Sequence, residues 1–200
     1  KIVATGSWPT SAEQIYGRVG PCAVFWLKPT TPVRYSQPPI VRIAFPPALG
    51  FRGEMENPQF SRPSDLVAWS FDQDLGDVTD NHVMRVYYTS FRNSFGPVRR
   101  KKYDLQLDRL NELVLSGEVK TVLDVGCGCG SVSLWLALQG AQVTGIDLED
   151  ERLRVARWRA ELIGVSPSFI QTNIMELGGG YDAIWIEQAF HHLEPRAEII

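Results

Sequence analysis

Asp124, Gly126, Gly128 and Gly130 fall at every second position of the stretch TVLDVGCGCGS, Thr121 to Ser131. Glycine lets a turn take φ > 0 and removes the Cβ that would keep a ligand off the backbone. A tight strand-to-helix turn accounts for one such glycine and leaves two over. The acid says which ligand to expect. A dinucleotide-binding loop, G-x-G-x-x-G, would put its third glycine at position 131, which here is Ser131. A pyrophosphate would also be repelled by a carboxylate two residues before the first glycine. A ligand with a cationic amino group would be attracted.

Such a loop needs a strand before it and a helix after it. TVLDV is a short β-branched run, and SVSLWLALQG reads as a helix closed by Gly140. QVTGI (Gln142–Ile146) is a second strand. EDERLRVARWRAELIG is an amphipathic helix with Leu153, Ala156, Ala160 and Ile163 inward and Gly164 ending it. SFIQT (Ser168–Thr172) and YDAIWIE (Tyr181–Glu187) are a third and a fourth strand. Ahead of them KKYDLQLDRLNELVLSG places Leu107, Leu110 and Val114 on a helical stripe with Gly117 as its C-cap. Strand–helix alternation at this spacing predicts βαβ units, hence an α/β fold with a Rossmann-like, doubly wound, mostly parallel sheet. Ligands of such sheets bind beyond the C-terminal strand ends, where strand order reverses.

Residues 1–98 are less regular. Prolines cluster in KPTTPVRYSQPPIVRIAFPPALGF, leaving room for short extended pieces such as AVFWL (Ala23–Leu27) and IVRIAF (Ile40–Phe45). Ser64 to Phe95 mixes aromatics with acids and reads as short helices and loops. In bulk the 200 residues are those of a globular protein, 44% hydrophobic with a net charge of −3, which gives no global pull toward nucleic acid or anionic membrane. No apolar run reaches the roughly 20 residues that span a bilayer. Three cysteines, Cys22, Cys127 and Cys129, do not form a disulfide framework, and a reducing, cytoplasmic setting is expected.

The motif VLDVGCGCG resembles the first motif of class I S-adenosylmethionine-dependent methyltransferases, acid-x-Gly-x-Gly-x-Gly. VTGIDLED resembles the family's second-strand end, and YDAIWIEQAFHHLEP the fourth-strand segment of its small-molecule, ubiquinone/menaquinone-type branch. The resemblance runs from about Arg99 to the end. It implies that Asp124 orients the loop and the methionine amino group, and that Gly126, Gly128 and Gly130 let the methionine and ribose lie against the backbone. Cys127 and Leu148 fall among the implied cofactor contacts. Asp147 would accept bonds from both ribose hydroxyls, a task suited to an acceptor-only carboxylate, with a helix N-cap as the alternative. Where the family has an acid near the adenine amino group this chain has Asn173, either a neutral acceptor or an ordinary Asn turn, with Ile174 flanking the adenine. His191, His192 and Glu187 would face the reactive end and are the candidates to take a proton from the nucleophile.

The resemblance therefore implies a methyltransferase moving a methyl group from S-adenosylmethionine to an O, N or C nucleophile of a small-molecule acceptor. Residues 1–98 would form a substrate-covering extension and residues 99–200 the methyltransferase core. A regulatory module without activity and an NAD(P)-dependent oxidoreductase are the alternatives. Tyr87, Tyr88 and Phe91 are candidates to line a lid or pocket, against simple core packing. The family's sheet has seven strands and only four are counted here before Ile200, so either the core stops after strand four, one edge of which would be open, or N-terminal strands complete the sheet in permuted order; the first is expected. Zinc held by Cys127, Cys129, His191 and His192 is set aside, because the ion would fill the space the glycines clear; no metal is expected. RRKK (Arg99–Lys102) reads as a solvated surface rather than a phosphate contact. IEQAFHH lacks the Asn/Asp-Pro-Pro-aromatic element of base-methylating enzymes, which argues against a nucleic-acid partner. Oligomeric state has no signal in the sequence.

Overall fold

A computed structural model describes residues 23–26, 58–73, 75, 78–187 and 189. In chain order the elements are β1 (Ala23–Trp26), α1 (Pro63–Phe71), α2 (His82–Ser94), α3 (Pro97–Leu115), β2 (Thr121–Val125), α4 (Ser131–Leu138), β3 (Gln142–Asp147), α5 (Asp150–Ile163), β4 (Ser168–Gln171), a 3-10 turn (Ile174–Glu176) and β5 (Ala183–Ile186). The sheet order is β1-β5-β2-β3-β4. Strands β5, β2, β3 and β4 are parallel, as strand–helix alternation predicts, with Asp124 opposite Gly145 on one side and Trp185 on the other. From β2 the chain steps outward to β3 and β4, then returns across β2 to β5. The reversal point therefore lies between β2 and β5, at the ends that carry Asp124 and Glu187.

One expectation is corrected. The outer edge of the fourth parallel strand is not open, because β1 pairs antiparallel with β5, Ala23 opposite Ile186 through Trp26 opposite Ala183. Ala23–Trp26, the described part of the anticipated AVFWL strand, thus adds to the sheet. Pairing the edge row of N–H and C=O groups is the gain, and an antiparallel neighbour does this as well as a parallel one.

The pleat sends alternate side chains of β2 to opposite faces. Val122 joins the main core with α1, α3, α4 and α5, whereas Leu123 and Val125 join Ile146 and Ile186 on the other face. Asp124 shares the face of Val122. Helix α4 is apolar almost throughout and buried from Val132 to Leu136, so it behaves as a core element. Leu107 and Leu110 of α3 and Leu134 of α4 are each inaccessible to solvent, and burying one such side chain is worth about 1.5–3 kcal/mol. The Trp135 indole donates to Asn111 Oδ1 at 3.2 Å and fixes α4 on α3.

The anticipated stripes of α3 and α5 are all buried: Leu107, Leu110 and Val114 on one, Leu153, Ala156, Ala160 and Ile163 on the other. The region read as short helices and loops holds α1 and α2, with Asn81 Oδ1 accepting from the amides of Val83 and Met84 at the start of α2. Within RRKK, Arg100 pairs with Asp65 of α1 at 2.8 Å and Arg99 lies over the Phe91 ring. Among the described residues no helix is long and apolar enough to cross a membrane.

Candidate functional site

Three carboxylates converge where the sheet reverses. Asp124 is buried at the end of β2, and its Oδ2 accepts from Ser133 Oγ of α4 at 2.6 Å. Burial holds its carboxyl up at about 6; bonds from the Ser133 hydroxyl and amide pull the other way, and the charge of Asp147 adds to the rise. Glu187, one residue past β5, is pushed up to about 7 by burial and by Asp124, against the Trp185 indole and Lys102 of α3. Lys102 itself is exposed.

Asp147 ends β3 and shapes the loop itself. Its Oδ2 accepts from the Gly128 amide at 2.9 Å and its Oδ1 from the Glu149 amide at 3.0 Å. The N-cap alternative is not what is seen: α5 begins at Asp150, with Glu149 in the cap position. A carboxylate has about four acceptor sites, so two remain for a ligand.

The loop glycines divide by task. A Cβ on Gly128, at φ +54, would meet no atom within 4 Å, so open space lies over this residue. A Cβ on Gly126 would collide with the Cβ of Ala189, beyond β5. At Gly130 it would lie 2.8 Å from Phe169 Cζ and 2.9 Å from Ala156 Cβ. Among the described residues, Gly128 is therefore the one loop glycine of the three whose missing Cβ is not taken up by a neighbouring side chain. Cys127 is turned inward: its amide donates to the Ile146 carbonyl at 2.9 Å, and a Cβ on Gly145 would stand 2.9 Å from its sulfur. Burial and the nearby Asp124 charge push its thiol well above the usual range.

The remaining candidates lie around this centre. Leu148 is 67% exposed beside Asp147, a large apolar surface at the crevice rim. Ile174 is half-buried against the Leu123–Val125–Ile146–Ile186 cluster. Asn173 Oδ1 accepts from the Met175 amide at 3.1 Å and starts the 3-10 turn, so its side chain makes the ordinary Asn turn. His191 and His192 lie outside the described residues. Of the aromatics, Tyr87 is exposed, whereas Tyr88 and Phe91 pack around Phe71. Ser133 is the clearest partner that sequence reasoning passed over. Its signal was a hydroxyl inside SVSLWLAL, a helix with no other polar residue besides its first.

A raised carboxyl has a stability consequence. Between its ordinary 3.8 and about 6, the unfolded chain has lost the Asp124 proton and the folded chain has kept it. The contribution of this group is thus full below the ordinary value and is lost as pH rises through about 6. Asp124→Asn removes that charge penalty. A two-unit shift corresponds to about 3 kcal/mol, and loss of the charge-assisted Ser133 bond offsets part of it, leaving a gain of about 1–2 kcal/mol. Thermal melts should show the variant above the parent at pH 8, with the margin shrinking toward pH 4.

Residues 122–199 match the family model described as a methyltransferase domain. The ubiquinone biosynthesis O-methyltransferase of Erwinia tasmaniensis is 31% identical over 131 residues, which covers 63% of this chain and 54% of that protein. The enzyme of the same name from Marinobacter nauticus is 39% identical over 103 residues, covering 48% of this chain and 42% of that one. The chain spans about half the length of the curated relatives it matches. Among solved structures, magnesium protoporphyrin IX methyltransferase from Synechocystis with bound SAH is 25% identical, covering 59% of this chain and 49% of that one at a TM-score of 0.36.

Proposed function

We propose, from the premise that residues 122–199 belong to the methyltransferase-domain family, that the chain carries a class I core using S-adenosylmethionine to methylate a hydroxyl oxygen of a small-molecule acceptor. One observation carries the reading. The carboxylates of Asp124, Asp147 and Glu187 gather around the crevice, with Asp147 bonded to the open backbone at Gly128. A cofactor with an ammonium, a sulfonium and a ribose diol matches that charge, whereas a pyrophosphate does not. When bound, this cofactor supplies an electrophilic methyl on a positively charged sulfur.

The chain's own residues then divide the work. Asp147 offers its free acceptor sites to the ribose hydroxyls while its bonds to Gly128 and Glu149 hold it still. A bound ammonium would hold Asp124 ionised, since a nearby cation lowers a carboxyl. Leu148 and Ile174 offer apolar contact to the base. Glu187, its carboxyl raised to about 7 by burial, would accept the proton of the acceptor hydroxyl, and a cofactor held here would supply the methyl that the oxygen takes up. Alignment and exclusion of water supply most of the remaining rate. The oxygen assignment draws on the two relatives named as O-methyltransferases. His191 and His192 remain candidates for the same proton.

Calorimetric titration with S-adenosylhomocysteine, and separately with NADH, tests the reading. S-adenosylhomocysteine should bind and NADH should not; the reverse would make the site a dinucleotide site. With an acceptor in hand, turnover should rise with pH through about 7, and Glu187→Gln should lose that rise together with about 100-fold in rate. Cofactor binding without methyl transfer to any phenolic acceptor would leave a binding module.

A further inference from the structure

Arg159 of α5 is fully inaccessible to solvent, yet among the described residues it forms no ion pair with a carboxylate. Its guanidinium is spread over neutral partners. Nη1 donates to Tyr88 Oη at 3.0 Å and to the Cys129 carbonyl at 3.4 Å, and Nη2 donates to the Ser70 carbonyl at 3.1 Å. Nε has no partner among the described residues. The guanidinium carbon also lies 4.9 Å from the centre of the Tyr88 ring.

Burying a charge among neutral groups is costly, and an apolar side chain of similar volume would fill the same space at less expense. The neighbouring cluster of Leu75, Val78, Met84 and Val155 would accept one. What an apolar residue lacks is the ability to hold three separate segments from one point. Ser70 is in the last turn of α1, Tyr88 is midway along α2, and Cys129 is in the glycine loop between Gly128 and Gly130. The fork of an arginine reaches several acceptors in fixed directions. Tyr88 and Cys129 both pack against the Leu75–Val78–Met84–Val155 cluster, and Arg159 Nη1 bonds to each of them. The second cysteine of GCGCG is thus linked to α2 through Arg159 of α5, one residue from the open backbone at Gly128. Helix α2, in contrast, carries none of the crevice carboxylates.

We propose that Arg159 is a positioning residue that makes the seating of α2 and the shape of the glycine loop a single linked equilibrium, with Tyr88 as its contact on α2. It rests on the cofactor reading for its consequence: a ligand that orders the loop fastens α2, and a well-seated α2 tightens the ligand, by the reciprocity of linked sites. The seating of α2 then reports occupancy of the crevice.

Hydrogen exchange on the whole chain, with and without S-adenosylhomocysteine as the probe, tests this. In the parent, the probe should slow amides of α2 as well as those of the loop. Tyr88→Phe deletes only a hydroxyl and keeps the ring packed. Without any ligand it should speed exchange at residues 127–131 by about five-fold, the low end of coupling between linked sites, and leave the interior of β3 unchanged. Its probe affinity should fall by a similar factor, and α2 should no longer be slowed. Arg159→Lys, which keeps charge but loses the fork, should behave alike. If Tyr88→Phe melts earlier while its unliganded loop exchange and its affinity match the parent, the contact is merely structural and the linkage is wrong. A parent that binds no probe would sink the cofactor reading, whereas unliganded loop exchange in Tyr88→Phe still decides the linkage.

Discussion

Asp147→Ala should weaken S-adenosylhomocysteine binding by about 100-fold or more, measured by calorimetry on folded protein. Two losses combine. The first concerns the ligand: a buried diol that had two charged acceptors is left without them, and hydrogen bonds to a charged group are worth about 1.5–3 kcal/mol each. The second concerns the loop, because the Gly128 and Glu149 amides lose their common partner and the backbone is free to leave the shape that the ligand needs. Asp147→Asn separates the two. An amide oxygen can still accept from one of the amides, so its melting temperature should lie close to the parent's while affinity stays low. Should Asp147→Ala hold the nucleoside as tightly as the parent, the crevice does not grip a ribose and the assignment of the site falls.

The parallel sheet was legible because its cues are local. Strand–helix alternation from Thr121 onward, with Gly140 and Gly164 at helix ends, fixes strands β2 to β5 by short-range pattern alone. The partner of β5 was not legible in the same way. AVFW lies more than 150 residues before AIWI, and nothing in a four-residue apolar run states which edge it joins. Buried polar contacts between distant segments shared this difficulty. Arg159 sits at a position that charge patterning assigns to the wet face of EDERLRVARWRAELIG, and only the arrival of α1 and α2 makes that face an interior.

Within the candidate site the placement of the acids follows from their strand-end positions: Asp147 bonds to the loop and Asp124 to the adjoining helix. Gly126 and Gly130 were singled out as clearing space for a ligand, and what they clear is space for Ala189, Phe169 and Ala156. A run of alternating glycines cannot reveal which member faces a ligand and which faces the protein, since both neighbours demand the same missing Cβ. The packing explanation thus holds at Gly126 and Gly130, and the ligand explanation remains a proposal for Gly128.

That division makes Gly130→Ala a sharp test of the packing role, with an expected loss of about 2–5 kcal/mol of stability. Gly130 is at φ +78, where any L side chain costs roughly 1–2 kcal/mol. The new methyl would also press on Phe169 of β4 and Ala156 of α5, and overpacking a core costs about 1–3 kcal/mol. Neither neighbour can yield cheaply: Ala156 has no side chain to turn, and the Phe169 ring is wedged against Gly145 as well. Gly128→Ala is the control, with a similar positive φ and no clash. It should cost only the conformational term in denaturant unfolding, yet lose more cofactor affinity than its stability loss explains, because its methyl would stand in the one opening the loop leaves. Equal destabilisation by the two substitutions would mean that the loop relaxes freely, and the assignment of Gly130 to packing and Gly128 to the ligand would then be wrong.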